Sequence, residues 1–415
     1  MGDLNRRTFL GGTLGGFFAY ALRNRADGLF AASTALGTGQ ESVGRAKRCV
    51  VLWMDGGPSQ LDTFDPKPGV ETGGSTKAID TAARGVRIAE TLPQIARRMK
   101  KLSIVRSMNS KEGDHLRGQY LLHTGYPLLE GFARPSLGSM VSKETPEARI
   151  PKYVTLGASG FGPAYLGASH APFSVEDLRQ ALDSLRAVGR KKDRIRFIRE
   201  LDHDFDAGHP VDMLAGREEM LRKIEELSDT AFVRALDLES EPSRDRERYG
   251  KSTFGQRCLA ARRLLESGVR FVEIHQDGWD THVDNFAKVG SQCALIDAPW
   301  AALVDDLDAR GLWDETIVVW MGEFGRTPGI NAQNGRDHYP RVTCAVVGGG
   351  GLEGGRVVGE TDRLGSSIVK DPVSVPDLFA TLFSCFGLDP KRRFRTEFGG
   401  TATLTDGGNP IRALL

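Results

Sequence analysis

Cys49-Val50-Val51-Leu52-Trp53-Met54, ended by Asp55-Gly56-Gly57-Pro58, is the stretch on which the fold turns. A continuous apolar run closed by a Gly-Gly-Pro turn reads as a buried parallel strand entering a loop. Working outward, residues 92–101 have helical spacing, residues 102–105 read as a second strand, and residues 114–124 as a helix closed by Gly125. This βαβα order needs right-handed crossovers and favours a parallel sheet covered on both faces. Residues 175–248 turn charged and helical without strand signals, which predicts a helical insertion on the sheet.

The alternation then resumes. Ser252 caps a helix to Ser267 with Gly268 behind it, and residues 269–274 form a strand. A helix over 285–310 contains Pro299 as its expected bend, and strands follow at 316–321 and 342–347, with a late helix at 377–386. The expected fold is α/β: a mostly parallel central sheet with helices on both faces.

Bulk properties narrow the function classes. The 415 residues hold a sizeable core, and 55 Lys plus Arg against 54 Asp plus Glu give a net charge of +1. Nothing in that balance asks for nucleic acid or an anionic membrane surface. Cys49, Cys258, Cys293, Cys344 and Cys385 are scattered without a CxxC pair, so neither a zinc knuckle nor a disulfide framework is indicated.

Arg6-Arg7 stands ahead of an apolar, glycine-rich stretch over 11–22, with small residues at 31–35. Residues 1–35 therefore read as a twin-arginine signal, which implies the twin-arginine export machinery as a partner and a periplasmic or extracellular destination. The apolar run is shorter than the ~20 residues of a membrane span. Proteins exported this way travel folded, often with a cofactor already loaded.

In an open parallel sheet, ligands collect outside the carboxyl ends of the strands. Here those ends carry Asp55, then Ser107 to Ser110, then Asp277, Asp280 and His282, then Glu323, with Asp337-His338 in the loop that follows. Carboxylates and imidazoles at one rim suit zinc or a similar divalent ion. His115 and His123 fall on one helix eight residues apart, too far to hold one ion together.

The block from Gly56-Gly57-Pro58-Ser59-Gln60-Leu61-Asp62 to Asp65-Pro66-Lys67-Pro68 resembles a signature of the domain-of-unknown-function family fifteen-oh-one. So do Gly278-Trp279-Asp280-Thr281-His282, Gly322-Glu323-Phe324-Gly325-Arg326-Thr327-Pro328 and Gly335-Arg336-Asp337-His338. The match runs from about residue 47 to 388, inside a domain over 47–415. That family is described as sulfatase-like and grouped with the alkaline phosphatase superfamily, and its own motif stresses Asp62 and Asp65.

The resemblance implies one or two divalent ions, zinc or calcium, held by Asp55, Asp280, His282, Glu323 and His338. It implies Ser110 as nucleophile, with a plain helix cap as its other reading, and Arg326 or Arg336 as the group that pairs with a phosphate or sulfate oxygen. The implied function is hydrolysis of a small-molecule or polysaccharide sulfate or phosphate ester. The competing expectation is a non-catalytic exported binding or assembly protein, since Phe324 stands where a ligand is expected and the sulfatase block C/S-x-P-x-R is missing.

Replacing Arg6 and Arg7 together by Lys is expected to stop export and leave folded protein inside the cell. Cell fractionation checks it; normal export of the double variant would exclude the signal.

Overall fold

In the computed structural model, which describes residues 44–158, 160–189, 231–395 and 400–415, the opening apolar run forms strand β1, Arg48–Met54. Its side chains alternate between two cores. Val50, Leu52 and Met54 enter one, and Cys49, Val51 and Trp53 the other, which is why the run carries no polar alternation. The remaining long strands are β2 (Leu102–Asn109), β3 (Tyr153–Leu156), β4 (Phe173–Val175), β5 (Phe271–Gln276), β6 (Thr316–Met321) and β7 (Thr343–Gly348). Two-residue strands β8 (Val357–Val358) and β9 (Val373–Ser374) complete a sheet of nine.

The sheet order is β8-β2-β7-β6-β1-β5-β3-β4, with β9 also on β2. β1 pairs in parallel with both β5 and β6, so three of the strand ends singled out in the sequence are neighbours. β7 alone runs antiparallel, between β2 and β6. Two reversals return β2 to the direction of β1, and its carboxyl end joins the same rim.

Helices cover both faces. On one side lie α1 (Pro93–Ala96), α7 (Thr253–Ser267) and α8 (Asn285–Ala309), contributing Ile95, Cys258, Leu264, Cys293 and Trp300 to the first core. On the other lie α2 (His115–Thr124), α3 (Leu137–Glu144) and α9 (Val375–Cys385), contributing Leu122, Val141 and Phe379 to the second. Burying each such large apolar side chain is worth about 1.5–3 kcal/mol. All five cysteines are buried and free.

Cap chemistry sets the helix limits. The Ser252 side chain accepts from Gly255 N at the start of α7, and Gly268 closes it in the left-handed region at φ +106°. Asp114 caps α2 by accepting from Arg117 N. α1 is a single turn rather than a helix over 92–101: the Asp297 carboxylate of α8 takes Gln94 N and Ile95 N, and 3₁₀-type turns at Arg98 and Lys101 then lead into β2. Within the expected insertion the structure has α4 (Leu178–Gly189), α5 (Ala231–Leu236) and α6 (Ser243–Tyr249); residues 190–230, and the signal region 1–35, lie outside the described residues.

Two helical glycines should respond in opposite ways to alanine. A Cβ at Gly138 in α3 would lie 2.6 Å from the Tyr153 ring and 2.8 Å from Phe271, whereas one at Gly290 in α8 meets nothing within 4 Å. Gly138→Ala is expected to cost about 1–3 kcal/mol by overpacking, and Gly290→Ala to add about 0.5–1 kcal/mol. Denaturant unfolding of both variants checks the pair.

Candidate metal centre

The loop that leaves β5 carries Asp280 and His282 over the carboxyl edge of the sheet, and its path depends on two glycines. Gly56, at φ +114°, lies so close that a Cβ there would sit 2.3 Å from Asp280 N; a Cβ at Gly335 would sit 1.8 Å from His282 O. From the far side, Gly325–Arg326 pairs antiparallel with His338–Tyr339, placing His338 opposite Arg326. The first turn of α2 brings in His115.

Three imidazoles converge there on one carboxylate. His282 Nε2 is 3.1 Å and His338 Nε2 3.3 Å from Asp280 Oδ1, and the two Nε2 atoms are 2.9 Å apart. His115 Nε2 lies 3.5 Å from Asp280 Oδ2. Each ring is pinned through its other nitrogen by a pure acceptor: His282 Nδ1 by Asp337 Oδ1 at 2.7 Å, His338 Nδ1 by Gly113 O at 2.8 Å, and His115 Nδ1 by Glu323 Oε1 at 2.8 Å. Nδ1 therefore carries a proton in each ring, so in the neutral form the lone pair of each ring is the one on Nε2. Three nitrogen lone pairs around a carboxylate form a donor set for a divalent cation, with tautomers fixed by outer partners.

The charges around the group are uneven. Hydrogen bonding to Glu323 raises the His115 pKa over the opposing effect of burial. Burial lowers that of His338, and the Arg326 and His115 charges add to the drop. For Asp280, burial works upward but the Arg326 guanidinium wins, holding the carboxyl below its usual range. Glu323 is fully buried; Oε1 takes Gly56 N at 2.9 Å as well as His115, and Oε2 has no hydrogen-bond partner among the described residues.

Other residues expected at this point are placed elsewhere. Asp55 does not reach Asp280: its Oδ1 accepts from Trp53 Nε1 at 2.6 Å and its Oδ2 meets His275 Nδ1 at 2.8 Å. Ser110 follows the last residue of β2, four residues before the α2 cap, is 0% exposed, and turns its hydroxyl to Glu112 O and Pro340 O. Arg326 is buried and spends its N–H groups on Gly56 O, Gly57 O, Arg336 O and, at 2.5 Å, Asp280 Oδ1, so it positions a carboxylate and faces no open space. Arg336 is equally buried against Asp62 at 2.7 Å. Asp62 also takes Ser59, Thr76 and Asn285, and Asp65 takes Lys67 and Thr361, so both brace the loop after β1.

A deeper group was not read from the sequence. Glu273 and His275, two residues apart on β5, point into the second core with Phe271, and His123 of α2 joins them. The signal was available, since two polar residues at period two on a strand buried on both faces are costly unless they do something together. Burial alone would lower His275, but its bonds to Asp55 and Glu273 raise it to about 10. Trp279 and Trp320 pack edge to face in the first core, as structural residues do.

Among solved structures, the chain is similar to a mutant TAB5 alkaline phosphatase with Mg bound, at 15% identity and a TM-score of 0.36, covering 76% of this chain and 94% of that one. It is similar to the PsFucS1 sulfatase from Pseudoalteromonas sp., at 14% identity and a TM-score of 0.39, covering 83% and 68%. The phosphonate monoester hydrolase SpPMH from Silicibacter pomeroyi matches at 11% identity and a TM-score of 0.41, covering 88% and 76%. No curated protein matches the chain. The family model described as "Protein of unknown function (DUF1501)" matches residues 46–415, and the chain belongs to that family.

Proposed function

We propose that the protein is a metal-dependent hydrolase of phosphate or sulfate esters, working outside the cytoplasm. The observation that carries this reading is the convergence of His115, His282 and His338 on Asp280, each ring held by a separate acceptor. His115, Asp280 and His338, whose ligand atoms lie within 4.8 Å of one another, would hold one divalent ion, with His282 drawn in from beside His338 as a further ligand; the nitrogen-rich donor set suits zinc. When bound, the ion supplies Lewis acidity to the ester and to water. Glu323 acts through His115, and its unpartnered Oε2 is a buried negative oxygen that a nearby cation would balance.

A groove of about 520 Å³ runs from Asp280 past Gly278, Asp284, Lys288 and Gln292. Lys288 lies on its exposed wall and offers a cation to an anionic ester, and the volume suits a sugar-sized substrate. Asp280 is the one proposed ligand that also lines this groove, so an ester there meets the ion at Asp280. Water from the groove is the nucleophile in this reading, because the Ser110 hydroxyl is buried and turned to carbonyls. Phe324 is fully buried with its ring 4.4 Å from that of His338 and 5.1 Å from that of His115, which makes it a wall for the imidazoles.

Purified mature protein should contain a divalent ion and turn over aryl phosphate or aryl sulfate. His282→Ala is expected to lose both ion and turnover, and Glu323→Gln to weaken the metal affinity roughly 10–100-fold. Ser110→Ala should keep turnover within a few-fold. Elemental analysis with steady-state assays decides: no bound ion and no turnover across both ester classes sinks the hydrolase, while an inactive, metal-loaded Ser110→Ala restores a seryl nucleophile.

A further inference from the structure

The buried group on the other face of β5 is built on the same plan as the first, from different residues. His275 Nε2 lies 2.7 Å and His123 Nε2 3.1 Å from Glu273 Oε1. All three are at most 6% exposed. The opposite ring nitrogens are again pinned by acceptors, His275 Nδ1 by Asp55 Oδ2 at 2.8 Å and His123 Nδ1 by Gln119 O at 2.7 Å. Both Nδ1 atoms therefore carry protons, and both Nε2 atoms face a carboxylate oxygen, as donors when the rings are charged and as lone pairs once a metal ion displaces those protons.

The second oxygen of Glu273 is already taken. Tyr153 OH donates to Oε2 at 3.1 Å, which leaves Oε1 as the one facing the histidines. Three lone-pair atoms in a dry core repel unless a cation lies among them or both rings take up a second proton. In the second course the two rings pair with Glu273 as donors, and a divalent ion would take the place of those two protons. The ligand atoms lie within 4.8 Å of one another, close enough for one ion. A cleft of about 290 Å³, lined by Asp55, Gln119, His123, Phe161, His275 and Asp277, reaches both histidines and gives a small ligand access to them.

We infer that His123, Glu273 and His275 form a second metal site, of the two-His, one-carboxylate type that takes zinc with one position free for a small ligand. Asp55 is a positioning residue that fixes the His275 tautomer, and Trp53 fixes Asp55. The inference does not rest on the ester reading, because the two ligand sets share no residue.

The test loads full-length mature protein with Co²⁺ or ¹¹³Cd²⁺ after chelation and counts ions per chain. Two are expected in the wild type, one in Glu273→Gln and one in His282→Ala, with Asp55→Asn weakening the second site 10–100-fold. Because Glu273→Gln also disturbs a buried hydrogen-bond group, ¹⁵N-histidine spectra of cadmium-loaded wild type give a variant-free measure. Cadmium coupling at Nε2 of His123 and His275 is the expected result, and protons on both nitrogens of either ring in the loaded protein overturn it. A single ion that His282→Ala removes also overturns it. Two ions in His282→Ala, falling to one in Glu273→Gln, support this site and sink the earlier assignment.

Discussion

A single buried guanidinium ties the rim together. Arg326, 0% exposed, binds the carbonyls of Gly56 and Gly57 after β1, that of Arg336 in the loop beyond β6, and the Asp280 carboxylate after β5. Burial leaves its pKa below the ordinary arginine value against the upward pull of Asp280, Glu323 and Asp337, and it remains a cation held by one carboxylate and a ring of carbonyl oxygens. A charge removed from water at that cost is tolerated only where such partners replace solvation, so the three loops are fixed relative to one another by the requirement to solvate it. Gln60 extends the clamp by exchanging two hydrogen bonds with the Arg326 backbone, at 2.8 and 2.9 Å. The family motif after β1 thus does its work by bracing: Gln60 on Arg326, Asp62 on Arg336.

Much of the fold was legible because its decisive elements are local. β1 and β6 are apolar on both sides, and α7 is bracketed by Ser252 and Gly268, so composition and cap chemistry locate them without tertiary information. β3 and β4 were not read, since Tyr-Val-Thr-Leu and Phe-Ser-Val are too short to show a period and become strands only by adding to the edge at β5. The antiparallel sense of β7 is likewise a pairing fact that no residue in Thr343–Gly348 encodes locally. α1 starts where a carboxylate two hundred residues away takes its first N–H groups, and 3₁₀-type bonds at Arg98 and Lys101 replace the α pattern after one turn.

The first candidate site was half legible for the same reason. Asp280, His282, Glu323 and His338 follow strands whose ends meet on the edge of an open sheet, and the structure gathers the first, second and fourth within hydrogen-bond distance, with Glu323 behind His115. His115 was set aside because it shares a helix with His123, and that spacing does prevent joint chelation. Each serves a different group instead, about 12 Å apart along the axis at 1.5 Å per residue. Asp55 was expected beside Asp280 from its strand-end position. What decides its direction is Trp53 on the same strand, whose indole N–H holds one oxygen, while His275, paired across the ladder with Trp53, takes the other.

The two groups are therefore joined by the shortest possible connection, the peptide between Asp55 and Gly56. On one side the Asp55 carboxylate orients His275. On the other, Gly56 N donates to Glu323 and Gly56 O accepts from Arg326, the partners that set His115 and Asp280. Gly56 adopts φ +114° with the Asp280 backbone against it, so no side chain fits there and the peptide cannot rotate without losing both contacts. α2 imposes the same linkage from above, since a rigid helix that seats His123 on Glu273 thereby fixes where His115 meets Asp280. A shift at either group must be accommodated by the other through two stiff connections.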